Sequence, residues 1–246
     1  MATESDRLEV SDGTDTAVLT ASRNGWRVDL RVEDDDDVRR QRLLEAATQA
    51  VMIDGGGRLE YWVEDADASS NRVPLAAGFT PWRDLWCLER PLPAPDTDLQ
   101  TRPYTPADLE AFLEVNNRAF DWHPEQGGMT PDEVAQRTGE PWFDADGFRL
   151  LEDEASGRLA GFCWTKVHDD RKPPAGEIYA IAVDPDFHGQ GLGRPLVLAG
   201  LAWLAGRGLR HAMLYVESDN MHANRIYEEL GFRRAATNRA FQRIVR

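Results

Sequence analysis

The chain has 246 residues and a formal net charge of −15, from 43 Asp and Glu against 28 Lys and Arg, and 41% of its side chains are hydrophobic. That is enough apolar surface for one large or two small domains; it argues against a polyanion such as nucleic acid as ligand, and no run approaches the roughly 18 apolar residues of a membrane helix. The polar, acidic opening is unlike a secretory leader, so a cytoplasmic protein is expected, and Cys87 and Cys163 fit neither a disulfide framework nor metal-ligand spacing.

Taken in chain order, the first 95 residues read as strand, helix, strand, helix, a Gly-Phe stop and a strand. Pro91-Leu92-Pro93-Ala94-Pro95 then forms a stiff, strand-ending linker, which predicts domains of 1–95 and 96–246. Residues 98–104 read as a short strand. Thr105-Pro106 caps a helix to about Phe120, with Leu109, Phe112, Leu113 and Val115 on one side. Thr130-Pro131-Asp132-Glu133 is a second helix start, with a capping Thr, Pro at the first position and Glu three residues on. Strands are expected at 148–152 and 159–167, joined by an Ala-Ser-Gly turn, and at 177–183. A helix over 193–207, a strand over 211–217 and a helix over 220–230 follow, and 232–235 and 239–245 close the sheet.

The two halves repeat. Residues 59–79 lie over 212–232 without gaps, matching Val63, Glu64, Asn71, Arg72, Gly78 and Phe79 to Val216, Glu217, Asn224, Arg225, Gly231 and Phe232. The first half lacks counterparts of the opening strand, two helices and next strand, so it reads as a truncated copy. It is also degenerate: its counterpart of residues 188–194 is the acidic 35–41, and its counterpart of Tyr227 is Pro74.

The strand over 177–183 runs into His188-Gly189-Gln190-Gly191-Leu192-Gly193-Arg194 at the head of a helix. Glycines let successive backbone N–H groups converge, and the helix start adds partial positive charge, so the corner suits a phosphate or pyrophosphate. No Lys-Ser or Lys-Thr follows Gly193, which excludes a P-loop, and Pro195-Leu196 stands where a dinucleotide fingerprint needs its third glycine. What remains is the [Q/R]-x-x-G-x-[G/A] pattern, with His188 in place of Gln or Arg. It resembles the acyl-CoA pyrophosphate loop of the GCN5-related N-acetyltransferases. Asn220, Ala223 and Tyr227 before Gly231-Phe232 resemble that superfamily's second signature.

Acetyl transfer from a thioester to an amine requires loss of the ammonium proton, stabilisation of a tetrahedral oxyanion and protonation of the leaving thiolate. Glu177, at the start of its strand, is placed to accept the amine proton, and the Tyr227 phenol to protonate the sulfur. A polar set around residues 117–127, 164–168 and Tyr215 suits a polyhydroxylated amine. His123 and His168 have no third ligand at convincing spacing and read as surface histidines, so no metal is expected.

Longer matches narrow the resemblance: N-R-A-F-x-x-H-P-E-Q-G from Asn117, E-P-W-F-D from Glu140, G-F-C-W-T-K-V-H from Gly161, G-E-I-Y from Gly176 and L-Y-V-E from Leu214. Together they are similar to the mycothiol synthase family, whose members have two acetyltransferase domains, the second catalytic. This resemblance implies an α+β fold of tandem acetyltransferase domains, each a mixed, mostly antiparallel sheet flanked by helices. It implies acetylation of the cysteinyl amine of cysteinyl-glucosaminyl-inositol by acetyl-CoA in a ternary complex, in a protein expected to be a monomer. Glu177 becomes the general base and Tyr227 the general acid. Glu125, Lys166, Glu177 and Tyr215 become substrate contacts. Acetyl-CoA would be lined by Ile181, Ala182, Val183, His188, Gly189, Gln190, Gly191, Leu192, Gly193, Arg194, Asn220, Ala223, Asn224 and Arg225. An acetyltransferase for a protein N-terminus or another small amine, and a non-catalytic acyl-CoA-binding module, are the competing readings.

Overall fold

Leu8 and Val10 alternate with polar residues and run into Asp12-Gly13, where Gly13 turns with φ +67°. In the computed structural model, which describes residues 7–22, 25–33, 36–123 and 127–246, this pattern forms a hairpin. Strand β1 (Arg7–Asp12) pairs antiparallel with β2 (Asp15–Ser22), from Arg7↔Thr20 to Asp12↔Asp15. The hairpin supplies a strand that the repeat comparison leaves out of the first half.

The next elements follow a βαβαβ order: β3 (Gly25–Arg31), α1 (Asp37–Ile53), β4 (Gly57–Val63), α2 (Arg72–Ala76) and β5 (Thr80–Pro91). Strands β3 and β4 are parallel, and Leu43, Leu44, Ala47 and Val51 of α1 pack with Leu19, Val28, Leu59 and Phe241 in one core. Phe241 belongs to the last strand, β11 (Arg233–Val245), which pairs with β4 from Arg239↔Val63 to Val245↔Gly57.

This pairing moves the domain boundary from the sequence-based 95/96. One compact unit is Met1–Trp86 with Glu217–Asp219 and Ala236–Arg246, and the other is Cys87–Val216 with Asn220–Ala235. A strand ladder needs only matching hydrogen-bonding edges, at whatever distance along the chain, so the first unit is completed by the chain's last residues. The proline-rich segment 91–95 lies within the second unit, and the chain changes unit earlier, between Trp86 and Cys87 of β5. Residues 233–245 also form one continuous strand rather than two.

In the second unit β6 is only Arg102–Pro103. A 3-10 turn (Pro106–Asp108) leads into α3 (Leu109–Ala119), and α4 (Pro131–Thr138) starts with the expected capping box between Thr130 and Glu133. Strands β7 (Phe148–Glu152), β8 (Leu159–His168) and β9 (Ala175–Val183) form an antiparallel set. Helix α5 (Gly193–Gly206), β10 (His211–Glu217) and α6 (Met221–Glu229) follow. The order β9-α5-β10-α6-β11 thus repeats β3-α1-β4-α2-β5.

Helices α3 and α4 cover one face of this sheet. Phe112 meets Phe148, Phe162 and Trp164 edge-on, and Phe148 stacks on Trp164 with centroids 4.4 Å apart. Helix α5 covers the other face at a distance that only glycine allows. A Cβ on Gly200 would stand 2.4 Å from Cys163 Sγ and 2.9 Å from Ile178 Cδ1, and one on Gly176 would stand 2.6 Å from Leu204 Cδ2. Gly200→Ala is therefore expected to destabilise the protein by about 1–3 kcal/mol through overpacking. Combining it with Cys163→Ala should return part of that loss, as read by urea unfolding of the single and double variants.

Candidate active site

Strands β9 and β10 are parallel and share a ladder for three pairs only, Ala212↔Gly176, Met213↔Glu177 and Leu214↔Ile178. Beyond them the two strands part, while β9 remains paired to β8 as far as Val183↔Gly161. The chain then turns through Pro185–Phe187 and the glycine segment into α5. Gly189 (φ +80°) and Gly191 (φ +74°) sit in the left-handed region, with open space where a Cβ would be. Among the described residues, none of the backbone N–H groups from Gly189 to Arg194 has an acceptor in the chain. The next donor along, Leu196 N–H, reaches Leu192 O at 3.1 Å. Helix α5 has no side-chain cap, whereas at the start of α1 the Asp36 carboxylate accepts from Val38 and Arg39 N–H. The first turn of α5 thus keeps its donors for an anion.

Ion pairs around the buried Asp184 fix the root of this turn. Asp184 is 1% exposed; its carboxylate accepts from Arg118 at 2.9 Å and from Asp186 N–H at 2.9 Å. Asp186 accepts from Arg118 at 2.8 Å and Arg158 at 2.9 Å, and these guanidinium hydrogen bonds hold its carboxyl down to about 2. His188 closes back on its own strand, donating from Nε2 to Val183 O at 3.0 Å. His188, Gly189, Gln190, Gly191 and Arg194 are exposed.

Glu177 is 7% exposed, and its Oε2 accepts from His168 Nε2 at 2.6 Å. The register shifts between Trp164↔Ala180 and Thr165↔Ile178, leaving Tyr179 as an extra residue on β9. Ile178 packs against α5, so its neighbour Glu177 lies on the opposite side, across from Lys166. The Lys166 ammonium rests 4.7 Å from the Trp142 ring centroid and 5.8 Å from that of Tyr179. Tyr215 is 39% exposed; burial first, then the electrostatic influence of Cys87 and Glu177, raises its phenol above the ordinary range. Lys166, Glu177 and Tyr215 belong to the same unit, and Glu125 lies outside the described residues.

Tyr227 is buried on α6 against Phe232, with ring centroids 5.7 Å apart, and burial, with Cys163 second, pushes its phenol well up. Such a group keeps its proton at neutral pH. Asn220 caps α6 by accepting from Ala223 N–H at 3.2 Å, and Arg225 pairs with Glu229 at 3.0 Å on the exposed side. Ile181 and Val183 are half-buried and Ala182 is buried. Cys163 is enclosed, and burial pushes its thiol up to about 12. Three contributors escaped the sequence reading. His168, read there as a surface residue, is bound to Glu177; Trp142 was visible only as part of E-P-W-F-D; and Arg118 acts on carboxylates far along the chain. Among the described residues no group of three or more His, Cys, Asp or Glu is arranged to hold a metal, and no helix is long and apolar enough to cross a membrane.

Residues 109–232 match the acetyltransferase (GNAT) family model. The chain is 43% identical over 211 residues to a mycothiol acetyltransferase of Mycobacteroides abscessus, covering 83% of this chain and 71% of that one. It is also 43% identical over 237 residues to one from Actinosynnema mirum, covering 93% and 75%. The chain belongs to the mycothiol acetyltransferase family of GNAT enzymes. Its fold is that of a GCN5-related N-acetyltransferase from Sphaerobacter thermophilus, with TM-score 0.78, 19% identity and coverage of 94% and 77%. It is similarly that of a tandem GNAT protein from the clavulanic acid biosynthesis pathway, with TM-score 0.71, 15% identity and coverage of 96% and 81%.

Within this GNAT site, Arg118→Met is expected to loosen the glycine turn and raise KM for acetyl-CoA several-fold, with a smaller change in kcat. Because Asp186 is held below its ordinary range, its stabilising contribution is present above about pH 4 and lost as pH falls towards about 2. The stability gap between wild type and Arg118→Met, read by urea unfolding at stepped pH, should narrow through that window.

Proposed function

We propose that this acetyltransferase transfers the acetyl group of acetyl-CoA to the cysteinyl amine of cysteinyl-glucosaminyl-inositol, giving mycothiol, by direct attack in a ternary complex. The observation that carries the reading is the open first turn of α5, with unclaimed N–H groups from Gly189 to Arg194 beside two strands that part. That geometry suits a pyrophosphate on the turn and an extended thioester arm in the gap. Ile181, Ala182 and Val183 would line the arm, and the α6 segment from Asn220 to Arg225 would flank it.

Glu177 would take the amine proton, with Lys166 and Tyr215 as the substrate contacts nearest to it and Glu125 as a further one. Tyr227, kept protonated by burial, would return a proton to the departing thiolate. A covalent acyl-cysteine is disfavoured, because the enclosed Cys163 thiol is pushed up to about 12 and burial also raises Cys87. The first unit reads as a truncated, non-catalytic copy: Asp36 already occupies the head of α1, and Pro74 stands where the second copy has Tyr227.

Initial rates with acetyl-CoA and cysteinyl-glucosaminyl-inositol, free cysteine or peptide amines test the acceptor. The thiol-sugar should be strongly preferred; a better peptide acceptor would sink the substrate assignment and leave the transferase. Glu177→Gln and Tyr227→Phe should each lower kcat by about 10²–10⁴-fold. Unchanged rates in both would remove the acid–base assignment and favour an acyl-CoA-binding module.

A further inference from the structure

We infer that His168 is the positioning residue of the transfer site: it donates to one oxygen of Glu177, fixes the orientation of the carboxylate and leaves the other oxygen to meet the amine. The inference rests on the reading of Glu177 as the base and extends it to a residue outside the assigned set. Two residues apart on β8, Lys166 and His168 both stand on the Glu177 side of the sheet. The register sets Lys166 opposite Glu177 and His168 opposite Ala175, so the imidazole reaches Glu177 diagonally. At 2.6 Å the Nε2 atom is within close hydrogen-bonding distance of Oε2, and a carboxylate only accepts, so Nε2–H is the donor.

The surroundings leave this task to His168. Among the described residues it makes the one hydrogen bond given to the Glu177 side chain. Lys166, the nearest cation by register, is held over Trp142 and Tyr179 instead. Burial is the main cause that raises Tyr215 on β10 and Cys87 on β5, and Glu177 stands near enough to add a smaller contribution to each. Arg171, in the loop after β8, pairs with Glu89 at 3.9 Å. Glu177 is 7% exposed, and a side chain so enclosed takes its orientation from the hydrogen bond it makes. The His168 side chain is itself only 19% exposed.

The proposed step balances simply. The ammonium gives one proton to the Glu177 oxygen that His168 does not hold, and the amine nitrogen forms the C–N bond at the thioester carbonyl. As the tetrahedral intermediate collapses the C–S bond breaks, the thiolate takes the Tyr227 proton, the nitrogen's second proton restores the phenol, and the imidazole keeps its Nε2 proton throughout.

The test compares His168→Leu, His168→Gln and Glu177→Gln by kcat, by KM for each substrate and by the pH dependence of kcat. His168→Leu should lower kcat by about ten- to a hundredfold and leave KM for acetyl-CoA within about twofold. Its acid limb should move up by about one pH unit, since a carboxylate without its donor binds a proton more tightly. His168→Gln, whose amide N–H can reach the same oxygen, should regain most of kcat and the wild-type limb. Thermal unfolding of all three variants confirms that the compared proteins are folded.

A His168→Leu enzyme with an unmoved limb, or a His168→Gln enzyme no better than it, would overturn the positioning role. If Glu177→Gln is inactive while His168→Leu runs at the wild-type rate, this inference alone fails. If Glu177→Gln is fully active, the base assignment falls and this inference with it.

Discussion

A parallel ladder that stops after three residues is the feature on which the site depends. Strand β9 has a full partner in β8 on one edge, yet loses β10 on the other beyond Ile178. Backbone N–H and C=O groups along such a gap must be met by water or a ligand, so a parted edge inside a sheet is a place prepared for a guest. Several features hold the strands apart. Tyr179 adds a residue to β9 and bends it. Helix α5 lies against the sheet at Gly200 and Gly176, which fixes where its first turn points. Arg118 ties the root of that turn to α3 through Asp184 and Asp186.

The two heads of corresponding helices show how small a sequence difference decides anion binding. Helix α1 and helix α5 each follow a strand and feed the next parallel strand. At α1 the Asp36 side chain accepts the first N–H groups and adds negative charge. At α5 a glycine segment of positive φ replaces the acid, so no side chain competes and no charge repels a phosphate. The Arg118–Asp184 pair has a different task. Buried ion pairs gain little net stability over apolar packing, and their value lies in fixing one geometry.

Much of this was legible in the sequence because it is local. Caps and alternation marked α4, β7 and β10, and the glycine spacing marked the turn into α5. The β1–β2 hairpin was also within reach through Asp12-Gly13 between alternating apolar residues. What escaped depends on register or on distance along the chain. The bulge at Tyr179 reverses the faces of residues before and after it, so simple alternation along β9 does not carry through it. Pairing of β11 with β4 joins residues at opposite ends of the chain, and composition carries no trace of it. His168 and Arg118 were read one at a time, and each acquires its role only from a carboxylate that folding brings alongside.

Burial makes opposite demands on the two catalytic candidates. Withdrawal from water favours the uncharged form of any acid. For Tyr227 that is the form bearing the proton, and burial beside Phe232 and Cys163 is sufficient. For Glu177 it is the wrong form, because a protonated carboxyl cannot accept from the amine. A buried base therefore needs a donor that a buried acid does without. This asymmetry explains why a histidine stands against the carboxylate while the phenol is packed among apolar neighbours. It also gives a reason for a histidine rather than a lysine there: an ammonium on Glu177 would pair with the charge that the base must lend to the incoming proton, whereas a single imidazole N–H orients one oxygen and leaves the other open.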